Sequence, residues 1–399
     1  MSKALIPIFL IIVVDILGMA IIFPLLPFYA EHLGATPAQA GMLVSTFAVC
    51  QLIGGPMLGR MSDTMGRKPL LILSQAGTLA GFCILAWGKT LPLIFLSRAI
   101  DGFTAGNISL AQAYIADVTR PEERTRSFAV IGIAFGVGFL IGPAIGGFLS
   151  QISYEAPVYL AMALSALSIV TTQLLLPVTR ASAEGTDDAR RFTILDWRTY
   201  VEYFRRPGLG SLLWQFFAFI FAFSAFMTGF PLFAERRFTW DGKAFGPREV
   251  GYVYAYVGVL AVLLQGGFIG RLVRIFGDAG LVRWGFMLAV IGFAALGWTF
   301  GIGPMLITAA AVSVSTGVLR PALTSLITQH AGRGEQGGVL GLTQSLQSVA
   351  SIVAPALSGW LIGHGALAGW ACVAAGSMGI GLILNRRSAG QQPPIAPGS

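Results

Sequence analysis

The chain has 399 residues, of which 55% are hydrophobic and only 11% charged, with a mean hydropathy of +0.74. A soluble domain carries roughly 25% charged residues, so the composition excludes a water-exposed globule and points to a chain solvated by lipid. The formal net charge of +8 does not indicate nucleic acid, because the basic residues are scattered through short segments between apolar runs, where they orient a membrane protein.

Apolar runs of about 20 residues, long enough to cross about 30 Å of hydrocarbon at 1.5 Å per residue, recur from end to end. Twelve spans are predicted, over 5–28, 39–58, 69–88, 91–115, 127–149, 156–177, 209–234, 247–270, 280–300, 303–328, 337–361 and 365–384. The first run is too long for a signal-peptide core, lacks an Ala-x-Ala cleavage site and ends in Pro24 and Pro27, so it is expected to stay as a span. An even number of spans puts both termini on one side. With a cytoplasmic N-terminus, Lys3, Arg60, Arg67, Lys68, Arg120, Arg124, Arg126, the Arg180–Arg206 cluster, Arg271, Arg274, Arg283, Arg333, Arg386 and Arg387 fall inside. Only Lys89, Arg236, Arg237, Lys243 and Arg248 fall outside, which sets the orientation by the positive-inside rule.

Asp15 lies within the first predicted span, where an ionised carboxylate costs at least a few kcal/mol and must be compensated. It can take up and release a proton, pair with a cationic substrate, or serve as a structural carboxylate bonded to a neighbouring helix. Between the second and third spans runs Gly-Arg-Met-Ser-Asp-Thr-Met-Gly-Arg-Lys-Pro, Gly59 to Pro69, a tight cationic loop whose Arg67 and Lys68 also suit a purely topogenic role. Arg98 and Asp101 stand three apart in the fourth span, one helical turn, so they share a face and can neutralise each other. The pair either takes part in coupling or only orients its helix. Asn107 follows as a candidate cavity-lining residue. The fifth span carries Gly138, Gly142, Pro143, Gly146 and Gly147, many at spacing four, which strips one face of side chains and permits close helix contact.

The segment 179–207 links two halves. It starts Ala-Ser-Ala-Glu-Gly-Thr-Asp-Asp, polar and flexible, and its second part alternates apolar with basic residues as an interfacial helix does. Beyond it the first half repeats. Gly59-Arg60-x-x-Asp63-x-x-Gly66 returns as Gly270-Arg271-x-x-Arg274-x-x-Gly277, Pro143 and Gly147 return as Pro355 and Gly359, and Pro27-x-x-Ala30-Glu31 returns as Pro231-x-x-Ala234-Glu235. Parallel repeats of this kind build transporters from two bundles. The expected domains are a six-helix bundle over 1–178, the linker 179–207, a second six-helix bundle over 208–385, and a disordered tail 386–399. In the second half Arg320, Gln215, Gln344 and Gln347 are further candidates for lining a substrate cavity. Arg320 can attract an anionic substrate, partner a carboxylate or snorkel toward the cytoplasm, whereas helix-to-helix hydrogen bonds suit most of the amides.

No enzyme site is visible. No Walker-type Gly-x-x-x-x-Gly-Lys occurs, so ATP is not a direct driver, and no zinc spacing is present. Cys50, Cys83 and Cys372 sit singly in apolar runs, read as buried small hydrophobes rather than a disulfide framework or metal site. No metal and no cofactor is expected.

The Gly59–Lys68 loop resembles the major facilitator superfamily signature G-x-x-x-D-x-x-G-R-[KR], filled by Gly59, Asp63, Gly66, Arg67 and Lys68. Asp15, Gly18, Pro24 and Pro27 match the D-x-x-G-x-x-x-x-x-P-x-x-P pattern of its proton-driven drug antiporters. Arg98, Gly102 and Gly106 match R-x-x-x-G-x-x-x-G, whose arginine is tied to proton coupling, and Gly138, Gly142, Pro143, Gly146 and Gly147 match the antiporter signature G-x-x-x-G-P-x-x-G-G. The phrase Ala-Asp-Val-Thr-Arg-Pro-Glu-Glu-Arg strengthens a resemblance to bacterial tetracycline and multidrug exporters.

That resemblance implies an all-α membrane protein with two pseudo-symmetric bundles. It implies a bacterial inner-membrane monomer that exchanges an amphipathic small molecule for protons, driven by the proton gradient alone. It assigns proton coupling to Asp15, Arg98 and Asp101, and a latch between the halves to the Gly59–Lys68 residues, with Asp63 near the helix start at about Gly337. Tetracycline exporters have further intramembrane acids in the third and ninth helices. Here the third-helix position is Gly81, and the ninth span has only Asp278 at its edge. The rival reading is a symporter or uniporter of a polar or anionic metabolite. A receptor on a transporter scaffold is a third, disfavoured by the lack of an appended signalling domain.

Overall fold

The computed structural model describes residues 5–119, 124–177, 197–331 and 335–389. These residues are almost wholly helical: α1 Leu5–Ile22, α2 Leu26–His32, α3 Pro37–Met65, α4 Arg67–Trp87, α5 Leu91–Thr104, α6 Asn107–Val118, α7 Arg124–Leu149, α8 Ala156–Leu175, α9 Trp197–Arg205, α10 Leu209–Arg237, α11 Pro247–Leu263, α12 Ile269–Leu296, α13 Ile302–His330, α14 Gln336–Gly363 and α15 Leu367–Ala389. Local chemistry sets many boundaries. Prolines occupy the first turns of α2, α3, α5 and α8, where the missing N–H has no intrahelical partner to lose. Thr36 and Gln39 cap α3 reciprocally. Gly66 ends α3 with φ 92°, a conformation that strains any residue with a Cβ.

Four departures from the expected elements follow from backbone chemistry. The first span is two helices, α1 and α2, bent by 43° where Pro24 removes a donor and disfavours helix in the residue before it. The fourth span breaks into α5 and α6 at Ala105–Gly106. Ser74 stitches the break, its hydroxyl donating to Thr104 O and accepting from Gly106 N at 3.0 Å. The expected loop between the eighth and ninth spans is instead helical, passing through a π-turn at Leu264–Phe268 and bending at Gly277, φ 64°. After α10, a hairpin of Thr239–Trp240 and Lys243–Ala244 turns through Asp241 and Gly242, both at positive φ.

Among the described residues, eight helices are long and apolar enough to cross a membrane, or nine if α1 and α2 form one bent span. The twelve expected spans are not recovered one for one. The broken α5 and α6 are each too short alone, and Pro247–Leu296 runs on as a single 50-residue segment. The three cysteines also differ from expectation: Cys372 is exposed and Cys50 and Cys83 are half-buried.

Two compact units make up the chain. One comprises Met1–Arg191, Met227–Val259 and Pro355–His364, the other Phe192–Phe226, Leu260–Ala354 and Gly365–Ser399. In the first, α1 packs on α7 and α8, while α4 packs on α5 and α8 and α3 on α5. Its core includes Ile8, Ile12, Ile16, Leu70, Leu110, Tyr114 and Ile131. In the second, α12 packs on α13 and α15. The second part of the linker forms a helix, α9. Arg206, just after it, is tied to Glu202 at 3.0 Å and to Glu335 at 2.6 Å. The flexible start of the linker and the last ten residues of the tail lie outside the described residues.

Candidate functional site

Because α1 packs on α8 and α8 on α4, Asp15 of α1 comes within hydrogen-bonding reach of Ser168 on α8 and Gln75 on α4. Gln75 and Ser168 are fully buried, and Gln75 Nε2 donates to Ser168 Oγ at 2.7 Å. The other amide atom, Gln75 Oε1, is buried with no hydrogen-bond partner. Asp15 itself is half-buried, and among the described residues it forms no ion pair with any cation. An ionised Asp15 carboxylate can accept from the amide and the hydroxyl, both of them neutral. Sequence reasoning found Asp15 but missed Gln75 and Ser168, which are isolated polar residues in apolar runs.

Arg98 and Asp101 form the pair their spacing predicts. Arg98 Nη1 lies 3.1 Å from Asp101 Oδ2, with the two side chains 7% and 8% exposed. Thr78 of α4 bonds Asp101, Ser97 Oγ accepts from Arg98 Nη2 at 3.1 Å, and the guanidinium sits 5.9 Å from the Phe82 ring centre. Phe82 also borders Gly18, one turn on from Asp15, so a single ring separates the Asp15 helix from the buried pair. Gly81 has its own steric reason. A Cβ there would lie 2.9 Å from Asp101 Cβ, leaving no room for an acid at that position.

The fifth-span glycines are a packing seam against the Asp15 helix. A Cβ on Gly142 would lie 2.6 Å from Ala20 Cβ, one on Gly146 would lie 2.6 Å from Ile21 O, and one on Gly138 would strike Ile16, the neighbour of Asp15. On the adjoining edge, Gly147 and Pro143 meet α11 at Pro247 and Gly251. The motif therefore brings α7 flush against the segment that carries the lone carboxylate.

In the loop, Arg67 is the hub. Its Nη1 lies 2.5 Å from Asp63 and donates to Ser62 Oγ at 2.6 Å, while its Nε donates to Asp117 at the end of α6 at 2.9 Å. Lys68 Nζ donates to Gln173 O at 2.8 Å. Asp117 belongs to the Ala-Asp-Val-Thr-Arg-Pro-Glu-Glu-Arg phrase, a signal that could have found it. Gly66 serves its positive φ, whereas a Cβ on Gly59 would meet nothing.

The remaining candidates separate. Gln215 is fully buried, accepting from Asn385 Nδ2 at 3.2 Å and donating to Ser211 at 3.2 Å, so its amide joins α10 to α15. Asn107 opens α6 with its Oδ1 buried and unpartnered. Gln344 is exposed and Gln347 half-buried, one turn apart on α14. Arg320 projects from α13 with its guanidinium 5.8 Å from the Phe223 ring centre and no ion-pair partner among the described residues. No group of residues that could hold a metal ion occurs among them either.

Residues 8–355 match the model of the Major Facilitator Superfamily. The chain is 32% identical over 372 residues to the tetracycline resistance protein, class E, of Escherichia coli, covering 90% of this chain and 88% of that protein. It is 25% identical over 365 residues to the quinolone resistance protein NorA of Staphylococcus aureus, strain MRSA252, covering 90% of each. Among solved structures, the human organic anion transporter MFSD10 (TETRAN) superposes with a TM-score of 0.69 at 23% identity, over 96% of this chain and 99% of that one. The nucleoside transporter NupG superposes with a TM-score of 0.71 at 15% identity, over 98% and 99%.

Proposed function

Since this chain belongs to the major facilitator superfamily, we propose that it is a proton-coupled antiporter that exports an amphipathic small molecule by alternating access, with Asp15 as the group that carries the proton. Its full topology is twelve spans in two bundles, 1–178 and 208–385, with both termini cytoplasmic, in the bacterial inner membrane as a monomer. The proton gradient drives it without a cofactor. One observation carries this reading: Asp15 is a carboxylate in an apolar helix with two neutral partners and, among the described residues, no counter-ion. Such a group compensates its charge by binding a proton or a cationic substrate, and competition between the two gives exchange. Arg98 and Asp101, already neutralised by each other, bias Asp15 through Phe82, and the Gly59–Lys68 loop latches the halves through Asp63. Similarity to drug-resistance proteins supports export as the direction.

The test uses purified protein in liposomes with an imposed pH gradient, offering tetracycline, a quinolone and ethidium in turn. The expected result is uphill movement of at least one compound that collapses when the gradient is dissipated, and its loss in Asp15→Asn, whose amide keeps volume but cannot titrate. Uphill transport by Asp15→Asn at the unaltered rate overturns the assignment.

A second reading rests on Arg320. A guanidinium over an aromatic ring, with no acidic partner among the described residues, suits recognition of an anionic group, which favours a symporter or uniporter of an anionic metabolite. Transport of small carboxylates, abolished by Arg320→Gln and indifferent to Asp15→Asn, would select it.

A further inference from the structure

A second charged cluster joins two repeat-related positions. Glu31 ends the first Pro-x-x-Ala-Glu element and Glu235 the second, 235 − 31 = 204 residues apart. Both fall in the unit containing residues 1–191, 227–259 and 355–364. There their carboxyls are in hydrogen-bond contact with each other, and Arg236 grips both, with Nη2 2.5 Å from Glu31 Oε1 and Nη1 3.0 Å from Glu235 Oε2. Arg236 Nη1 also donates to Leu232 O at 3.1 Å, which fixes the guanidinium over its own helix. Tyr154, from the turn after α7, closes the side. Its ring stacks on His32 at 4.7 Å, and burial followed by the Glu235 charge raises its phenol above the usual range.

The same unit contains two seams with almost no side chains. The start of α3, at Pro37, Ala38 and Gly41, meets the end of α14, at Pro355, Ala356 and Gly359. The end of α7, at Pro143 and Gly147, meets the start of α11, at Pro247 and Gly251. In each, a Cβ on the glycine would run into backbone oxygen of the facing helix. Such seams hold by close contact but cannot respond to charge. Glu31, Glu235 and Arg236 can: the guanidinium allows both carboxyls to ionise, leaving one net negative charge, and without it the pair either shares a proton or, once that proton is lost, repels at contact distance.

The geometry points to an ionic clasp, in which Arg236 holds together the α2 and α10 ends of the two repeats at the pole remote from the Gly59–Pro69 loop, and which must open for the transporter to change its facing. The three residues touch neither Asp15 nor the Arg98–Asp101 pair. They are positioning residues for alternating access, and the inference rests on that family mechanism and not on proton coupling.

The test places spin labels at Gln151→Cys, in the turn after α7, and Lys243→Cys, in the hairpin after α10, both exposed, with Cys50, Cys83 and Cys372 replaced by serine. Distances are measured in lipid nanodiscs at mildly alkaline pH, where both carboxyls are ionised. The otherwise unaltered protein is expected to give a dominant short separation. Arg236→Ala should raise the ratio of long to short separations about tenfold, equivalent to about 1.4 kcal/mol. Adding Glu31→Gln and Glu235→Gln to Arg236→Ala removes the repulsion and should return the ratio most of the way. A ratio within about twofold of the unaltered protein in Arg236→Ala, or a triple variant as open as the single one, overturns the clasp. The distances change whether or not Asp15 carries the proton, so failure of the clasp and failure of proton coupling are separately visible.

Discussion

The two copies of the cationic loop use one backbone with inverted charge. Gly66 and Gly277, 277 − 66 = 211 residues apart, both break their helices at positive φ, 92° and 64°. At the same shift Asp63 becomes Arg274 and Arg67 becomes Asp278. In the first copy Arg67 gathers two carboxylates, Asp63 and Asp117. In the second, Asp278 accepts from neutral Ser325 at 2.7 Å and Gln329 at 3.2 Å, and Arg274 donates to Gly270 O of its own helix at 3.4 Å. The intramembrane arginines divide the same way: Arg98 is paired, while Arg320 lies against an aromatic face and has no ion pair among the described residues. The repeat keeps the bend that the backbone needs and lets the loop charges diverge, so the first copy of the loop is a closed ionic network and the second, among the described residues, holds its aspartate on neutral partners.

The largest effect expected from this contrast comes from deleting the two arginines. Arg98→Ala strands a buried carboxylate and should cost about 3–5 kcal/mol, seen as lost expression and early melting in detergent, with Arg98→Ala plus Asp101→Ala recovering most of it. Arg320→Ala should cost under about 1 kcal/mol, because no charge is orphaned, while changing which substrates move. Equal destabilisation by the two would break the contrast.

Next in size is the seam beside Asp15. Gly142→Val should cost about 1–3 kcal/mol through overpacking against Ala20, whereas Gly59→Ala, with open space around it, should leave melting within about 0.5 kcal/mol of the unaltered protein. Matching losses at both sites would mean that Gly59 also makes a close contact.

The shared bend predicts similarity. Gly66→Ala and Gly277→Ala should each cost about 1–3 kcal/mol, because both backbones pair a positive φ with an extended ψ, 156° and 168°, that a Cβ strains, measured by unfolding in graded denaturant. A clear difference would show that only one copy depends on the bend.

The smallest effect separates the loop charges. Arg67→Ala loses two partly exposed ion pairs worth about 0.2–1 kcal/mol each, and that loss should shrink in high salt because surface pairs are screened. Asp278→Asn exchanges one acceptor for another among neutral donors and should barely respond to salt.

Much of this protein was readable without coordinates. Span length and apolar content follow from the thickness of a bilayer, the 211-residue repeat follows from spacing alone, and the Arg98–Asp101 pair follows because three residues make a helical turn. Asp15 was equally legible, since a carboxylate in an apolar run announces its own cost. What sequence did not predict were contacts between helices distant in the chain. Gln75 and Ser168 belong to Asp15 only because α4 and α8 pack together, Asp117 belongs to Arg67 only because α6 ends beside the loop, and Arg236 reaches Glu31 across 205 residues. The break at Ala105–Gly106 was hidden as well, because Ser74, on another helix, satisfies the backbone that it frees. Local patterns report what a helix must do with its own backbone and its own neighbours at three and four residues. Which isolated polar side chains meet is settled by how the helices pack, and that depends on the shape of whole faces, such as the glycine seam of α7, rather than on any short motif.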